Sequence, residues 1–341
     1  MGLVLSLAVA GCRKSEPTTA ADSPPAATLN FIHDWYPEPE HGGYYAASLK
    51  GIWKELGLEV KILVGGPNSE IEKRVALDPV GLGIVRGDAV FIAVERGLPI
   101  VAVNSYFQHD PQGVMVRADS SVKSFADLEN RDVAMQVGAP WLLYLQKKYG
   151  LSKLRVRPVT GSVANFVSDP DWITQAYPTC EPYYAAKGGV PARMIQISDS
   201  GFDPYRVIIA NKQLVAQHPE LVAKFSLGAY RGWQEYFRDP QPIHDHILKI
   251  SPTMEMGGMR FSYVKMRELK LVEGDAAKGE HTGAVDLKRW EDLGKILLDL
   301  GVIKKTAVIG DVVTDAFTPR KLNHDPTLPA PVWTEAPIPG R

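Results

Sequence analysis

The sequence predicts an α/β protein of two lobes, each built on a doubly wound sheet, with a ligand cleft between them. Three observations carry this expectation. Short apolar runs alternate with amphipathic stretches from residue 28 onward, the alternation restarts after the apolar run 113–116, and beyond the run 206–210 only long helical stretches follow. Strand–helix alternation of this kind builds parallel sheets covered by helices. The two apolar runs mark where the chain leaves the first lobe and where it returns. Ligands of such sheets bind beyond the carboxyl ends of the strands, which here is the space between the lobes.

Taken in order, residues 28–33 read as a strand, followed by a loop through Trp35 and Pro39. Residues 41–56 have helical spacing, and Gly57 stops them. A second strand at 59–64 ends in Gly65-Gly66-Pro67; 71–77 is a helix and 81–85 a third strand. Asp88 can cap a helix at 89–96, ended by Gly97, before a fourth strand at 99–106. In the second alternation, 113–116 is followed by a short helix at 124–128, a strand at 132–136, a helix at 140–149 and a strand at 155–159. Strands at 173–176, 193–198 and 205–210, with a helix at 181–187, complete the set. The helices 219–237, 243–250, 254–271 and 287–300 follow, several opening on proline, which the first helical turn tolerates.

The chain thus divides into a leader (1–12), a linker (13–27), the first part of lobe one (28–115), lobe two (116–205), a helical second part of lobe one (206–322) and a proline-rich tail (323–341) expected to be extended or disordered. The linker, RKSEPTTAADSPPAA, has too little apolar bulk to offset its ordering entropy. The leader is an apolar run ending in Val9-Ala10-Gly11-Cys12, too short to span a bilayer as a mature helix, and reads as a secretory signal. A cysteine directly after small residues resembles the lipobox of bacterial lipoproteins. That resemblance implies lipidation at Cys12 and a place on the periplasmic or extracellular face of a membrane. Met1-Gly2-Leu3-Val4 lacks the usual Lys or Arg, so the natural start is expected upstream.

Composition narrows the function. Lys+Arg 38 against Asp+Glu 39 leaves a formal charge of −1, with no basic stripe for nucleic acid. With Cys12 lipidated, Cys180 alone remains, so no internal disulfide is expected, and the scattered histidines show no metal spacing. No cofactor or metal is expected.

The loop DWYPEPEHGGYY places Asp34, Trp35, Tyr36, His41 and Tyr44 where the cleft should be. Flat aromatic faces with a few polar groups suit a planar heterocycle. His41 would stand at a helix N-terminus, where the dipole favours a neutral imidazole. Gly66, in a glycine turn at the end of the second strand, can present backbone N–H groups to a polar edge; the turn lacks the lysine of a nucleotide-hydrolysing loop. Asp88 reads either as a helix cap or as a ligand contact. Gln108 lies just before the first crossing, and Gln136 ends a strand in lobe two. The stretch QAYPTCEPYY adds Gln175, Tyr177 and Glu181. Glu181 is either a carboxylate at a helix start or an acceptor for an exocyclic amine and ring N–H, where a ligand lacking those donors would leave a charge unpaired. Cys180 reads as a small packing residue, since no His–Asp partnership is visible.

These clusters, with VKILVGGP, GLGIVRGDAVFIAVERGLPIVAV, QHDPQGVMV, QAYPTCEPYYAAKGG and RVIIANKQLVAQHPELV, resemble the thiamine-pyrimidine family of periplasmic solute-binding proteins over about residues 29–322. The resemblance implies a type II periplasmic-binding-protein fold and a receptor, not an enzyme. It would take a pyrimidine-type thiamine precursor, hydroxymethylpyrimidine or formylaminopyrimidine, and pass it to an ABC permease as a lipid-anchored monomer. Related receptors are thought to take riboflavin, and more distant ones sulfonates or nitrate. Among the clusters only Arg86 is cationic, which disfavours a small anion. Two departures stand out. Tyr36-Pro37-Glu38 carries an acid where the family has an amide, and the cysteine-rich motif of the related fungal pyrimidine synthases is missing. An exported enzyme using His41 and Cys180 is the alternative from another class.

Overall fold

A computed structural model describes residues 26–328. The leader with Cys12, residues 13–25 of the linker and the tail beyond 328 lie outside the described residues. In chain order the strands are β1 (Ala27–Ile32), β2 (Leu58–Leu63), β3 (Gly81–Arg86), β4 (Ile100–Phe107), β5 (Gly113–Arg117), β6 (Asp132–Ala134), β7 (Arg155–Arg157), β8 (Ile173–Ala176), β9 (Ala192–Gln196) and β10 (Arg206–Asn211). They form two five-stranded sheets, ordered β2-β1-β3-β10-β4 and β7-β6-β8-β5-β9.

Each sheet is mixed where the sequence predicts a parallel one. β1 runs parallel to β2 and β3, while β10 runs antiparallel to β3 and β4. In the second sheet β6 is parallel to β7 and β8, and β5 is antiparallel to β8 and β9. The two reversed strands are the ones that arrive from the other lobe. The parallel strands end at the cleft, so a strand entering across it must begin there and run away from it.

Both faces of the first sheet are covered, and its sequence shows this directly. All six residues of β10 are buried. Val207 and Ile209 face one core with Ile32, Val85 and Trp290, while Ile208 and Ala210 face the other with Phe31, Leu82 and Trp233. That is the period-two alternation of a strand buried on both sides, read as a continuous apolar run.

The helices are α1 (Gly42–Leu49), α2 (Ile52–Glu55), α3 (Ile71–Leu77), α4 (Gly87–Glu95), α5 (Pro140–Tyr149), α6 (Ala164–Ser168), α7 (Glu181–Lys187), α8 (Lys212–Gln217), α9 (Pro219–Arg238), α10 (Gln241–Ile250), α11 (Met256–Glu268), α12 (Leu287–Asp299) and α13 (Ile309–Val312). The single helix expected over 41–56 is broken into α1 and α2 by Gly51, whose φ of 71° takes the chain out of the helix. α6 and α8 fall on stretches where the sequence reading placed no helix. Asp88 does not cap α4: Arg86 is the N-cap, in extended conformation, and the helix begins at Gly87.

α9 starts on Pro219 and buries Val222, Phe225, Ala229, Trp233, Tyr236 and Phe237 at helical spacing. It crosses α1 closely because both helices carry glycine at the contact. A Cβ on Gly232 would stand 2.2 Å from the Gly43 carbonyl oxygen, and one on Gly43 would stand 2.3 Å from the Trp233 ring. Since backbone is the obstacle, the Gly232→Ala variant is expected to force the helices apart at a cost of about 2 kcal/mol. A urea midpoint unchanged in that variant would refute the tight crossing. The first residues of the expected tail rest on the same helix, where Gln234 Nε2 donates to the carbonyls of Asp325 (3.1 Å) and Thr327 (2.8 Å).

Candidate functional site

The carboxyl ends of β1, β2 and β3 face those of β6 and β8, and the loop after β1 crosses toward the start of α7. At its base, His33 and His41 are fully buried and stack at 4.2 Å between ring centroids. Burial, and then the neighbouring His41, hold the His33 pKa well below its usual value. His41 Nε2 bonds Asp34 Oδ1 at 2.9 Å, and Asp34 Oδ2 meets the Arg206 guanidinium at 3.0 Å. Burial by itself would raise the Asp34 pKa; the Arg206 charge and the His41 hydrogen bond bring it below the usual value instead. Arg206, the first residue of β10, also sits over the Tyr177 ring from lobe two, 5.5 Å from its centroid.

A group of acids lies beside this pair. Glu40 is 4% exposed and accepts a hydrogen bond from Ser262 Oγ at 3.1 Å. Glu181 Oε2 accepts from the Tyr177 backbone N–H at 2.8 Å, as a carboxylate at a helix start does. Burial, then the Glu40 charge, push the Glu181 carboxyl up to about 7. Burial, with Glu40, Asp34 and Glu181 nearby, pushes Glu38 well above the carboxylate range. Burial and the same three glutamates push the Cys180 thiol up as well. Carboxyls from both lobes therefore share one crowded, weakly solvated site, and crowding with loss of water raises the pKa of Glu38 and Glu181.

The sequence candidates separate into groups. Asp34, His41, Tyr177 and Glu181 come together through Arg206 and the acid group. Trp35 and Tyr36 form an edge-to-face pair, 40% and 52% exposed, at the rim of the first lobe, with Gly66 against the Tyr36 ring. Gln136 and Gln175 meet at the carboxyl ends of β6 and β8, where the Gln136 backbone N–H donates to Gln175 Oε1 at 2.8 Å. Asp88 is buried and holds Arg86 by two bonds, of 3.0 and 2.6 Å; Arg86 in turn donates to Gln112 Oε1. Tyr44 is fully buried in the core of the first lobe, its ring against Phe31, Tyr106 and Trp233. Gln108 is also buried but bonds Ser105 and Ala284 on the far side of the crossover.

Three residues escaped the sequence reading: His33, Glu40 and Arg206. His33 stood in the strand and Glu40 in the quoted loop, but no local signal marks them. Arg206 supplies a second guanidinium beside Arg86, both neutralised by aspartates. Among the described residues no group of three His, Cys, Asp or Glu could hold a metal ion, and no helix is long and apolar enough to cross a membrane.

The two crossovers are bound to each other. His109 Nδ1 bonds Asp203 Oδ2 at 2.7 Å and its Nε2 bonds Glu280 Oε2 at 3.1 Å, while the Asp110 N–H donates to Asp203 Oδ1. Burial lowers the His109 pKa, but Asp203 and Glu280 outweigh it and the net shift is upward.

Comparison with known families decides the relationship. The NMT1/THI5-like family model matches residues 38–243, more than half of the chain. The chain belongs to the NMT1/THI5-like family. Within reach of this member lies a riboflavin-binding protein, RibY of Chloroflexus aurantiacus, 22% identical over 339 residues, covering 94% of this chain and 97% of RibY. A formylaminopyrimidine-binding protein of Halalkalibacterium halodurans is 25% identical over 253 residues, covering 72% of this chain and 77% of its own. Among solved structures, the periplasmic sulfonate-binding protein SsuA of Methylobacillus flagellatus superimposes with a TM-score of 0.63 at 14% identity, over 89% of this chain and 98% of SsuA. The fold of this family member is therefore that of the periplasmic binding proteins.

Proposed function

We propose that the protein is the solute receptor of an ABC importer, taking a pyrimidine-type thiamine precursor into the cleft between its lobes. One observation carries the ligand class: the buried Glu40 and the half-buried Glu38 of lobe one stand beside the half-buried Glu181 of lobe two. An aminopyrimidine presents an exocyclic amine and ring nitrogens, and such carboxyls can accept from the one and share a proton with the other. Trp35 and Tyr36 would cover the ring, and Gln136 with Gln175 would read its remaining polar edge. The lobes already touch through Tyr177 and Arg206, and again where Lys187 of α7 pairs with Glu255 before α11. Closing over the ligand excludes water and strengthens its hydrogen bonds; opening at the crossovers releases it to the permease. In this reading the chain acts as a monomer tethered through Cys12.

Riboflavin is the ligand to weigh against the pyrimidine, because the likeness to RibY extends over nearly the whole chain. The enzyme alternative draws on the fungal pyrimidine phosphate synthases among the relatives. Its proposed thiol is a poor nucleophile here, since burial and three nearby glutamates disfavour the thiolate of Cys180. Titration of tryptophan fluorescence with hydroxymethylpyrimidine, formylaminopyrimidine and riboflavin tests the proposal. Saturable binding of a pyrimidine is expected, weakened at least about tenfold in Trp35→Ala (~1.4 kcal/mol), with the ligand recovered unchanged. Preference for riboflavin would replace the ligand. A chemically altered ligand would replace the receptor with an enzyme.

A further inference from the structure

We propose that Tyr183 and Tyr184 of lobe two are positioning residues: seated on Gly257 and Gly258 of lobe one, they form a latch that closes the cleft and sets Glu181 beside Glu40. That the lobes open rests on the receptor reading above, but the latch is independent of which ligand the cleft takes.

The seat is made of two consecutive glycines in the first turn of α11. A Cβ on Gly257 would fall on the Tyr183 hydroxyl oxygen and stand 2.9 Å from Tyr183 Cζ. One on Gly258 would stand 3.0 Å from the Tyr184 hydroxyl oxygen. Neither glycine has a positive φ, so the approach of the other lobe's rings, and not the backbone, calls for glycine here. Inside a helix glycine costs about 1 kcal/mol against alanine, so the pair weakens α11 where the tyrosines arrive.

The tyrosines are covered from lobe one. Tyr183 is 7% exposed; its ring meets Tyr184 edge-on at 5.2 Å and Phe261 of α11 at 5.7 Å between centroids. The Tyr184 hydroxyl reaches Met254 Sδ at 4.0 Å, and Lys187 pairs with Glu255. α7 itself is anchored in lobe two by Ala185, which clusters with Met115, Phe166 and Ala176.

The same two helices carry the acids of the cleft. α7 begins at Glu181 and has seven residues, about 10 Å of helix, so a shift of its tyrosines carries Glu181 along. On α11, four residues beyond Gly258, Ser262 donates to Glu40 at 3.1 Å. Seating the tyrosines therefore brings the two carboxyls together, and lifting them off separates the pair.

The test reads Cys180, the residue before α7, in the full chain carrying Cys12→Ser, which leaves Cys180 as its single thiol. Burial, then Glu181, Glu38 and Glu40, holds the pKa of that thiol up while the latch is seated. Gly257→Ala puts a methyl where the Tyr183 phenol lies. The variant should react with a thiol reagent about tenfold faster than its parent, with a larger radius of gyration by small-angle scattering. Its urea midpoint should be no lower, since alanine favours the helix. Adding Tyr183→Phe removes the colliding hydroxyl and should slow the labelling again. Equal labelling rates overturn the proposal. So does faster labelling at an unchanged radius, which would be a local loosening of α7, or with a lowered midpoint, which would make the contact ordinary packing. Faster labelling that Tyr183→Phe does not slow overturns it too.

Discussion

Replacing Asp34 with alanine is expected to cost about 3–5 kcal/mol of stability, because it strands a buried guanidinium. Arg206 is 9% exposed, and its Nε already lacks a partner. Its Nη1 ion pair with Asp34 and the Asp34–His41 bond are what tie β10 to the loop after β1. Asp34→Asn keeps the shape and the acceptor but loses the charge, so it should fall between wild type and alanine. Adding Arg206→Met to Asp34→Ala should recover much of the loss, since the uncompensated charge goes with it. Urea denaturation of the four proteins makes the comparison. A loss below about 1 kcal/mol in Asp34→Ala would mean that solvent reaches Arg206 freely and that the pair holds nothing.

Glu181→Gln should do the opposite, and only at the alkaline end. The folded protein holds the Glu181 proton up to about pH 7, against an ordinary value of 4.5. A raised carboxyl pKa gives stability that is complete below the unfolded value and lost as pH rises through the folded one. Across that window the wild type should lose about 2–3 kcal/mol on account of this group, after allowance for its partial solvent contact. The glutamine keeps an acceptor for the Tyr177 N–H and cannot ionise. At pH 4 the two proteins should unfold alike, and at pH 8 the variant should be the more stable by that amount. Equal stability at pH 8 would show that Glu181 ionises without penalty. A stabilising substitution at this position would also mark Glu181 as a residue kept against stability, as binding groups commonly are.

What could be read from the sequence was local. The helix Pro140–Tyr149 and the strand Ile173–Ala176 follow from apolar spacing and a first-turn proline, and both stand at the expected residues. Glu181 was legible because a carboxylate at a helix start is a feature of a few consecutive residues. Strand direction was not legible. Whether β10 runs with or against β3 depends on where the chain enters the sheet, and no periodicity records that. Arg206 was hidden for the same reason: its partner Asp34 lies 172 positions away, so an apolar strand opening on arginine looks like any other. Tyr44 shows the reverse error. It stood beside Trp35 and Tyr36 in an aromatic loop, but the turn into α1 aims its ring into the core.

The placement of β10 has a consequence for the order in which the chain can be assembled. As it is synthesised, β4 emerges more than ninety residues before its sheet neighbour; it pairs with β10 and has no other strand partner in the sheet. Its eight residues, all destined for burial, must wait as an unpaired apolar strand while the whole second sheet, β5 to β9, is made. That second sheet draws on one continuous stretch of chain and can close by itself. The first cannot be completed until Asn211 has been added. The later-made lobe is thus free to fold first, and the earlier-made one is exposed to wrong partners for as long as the ribosome takes to reach β10.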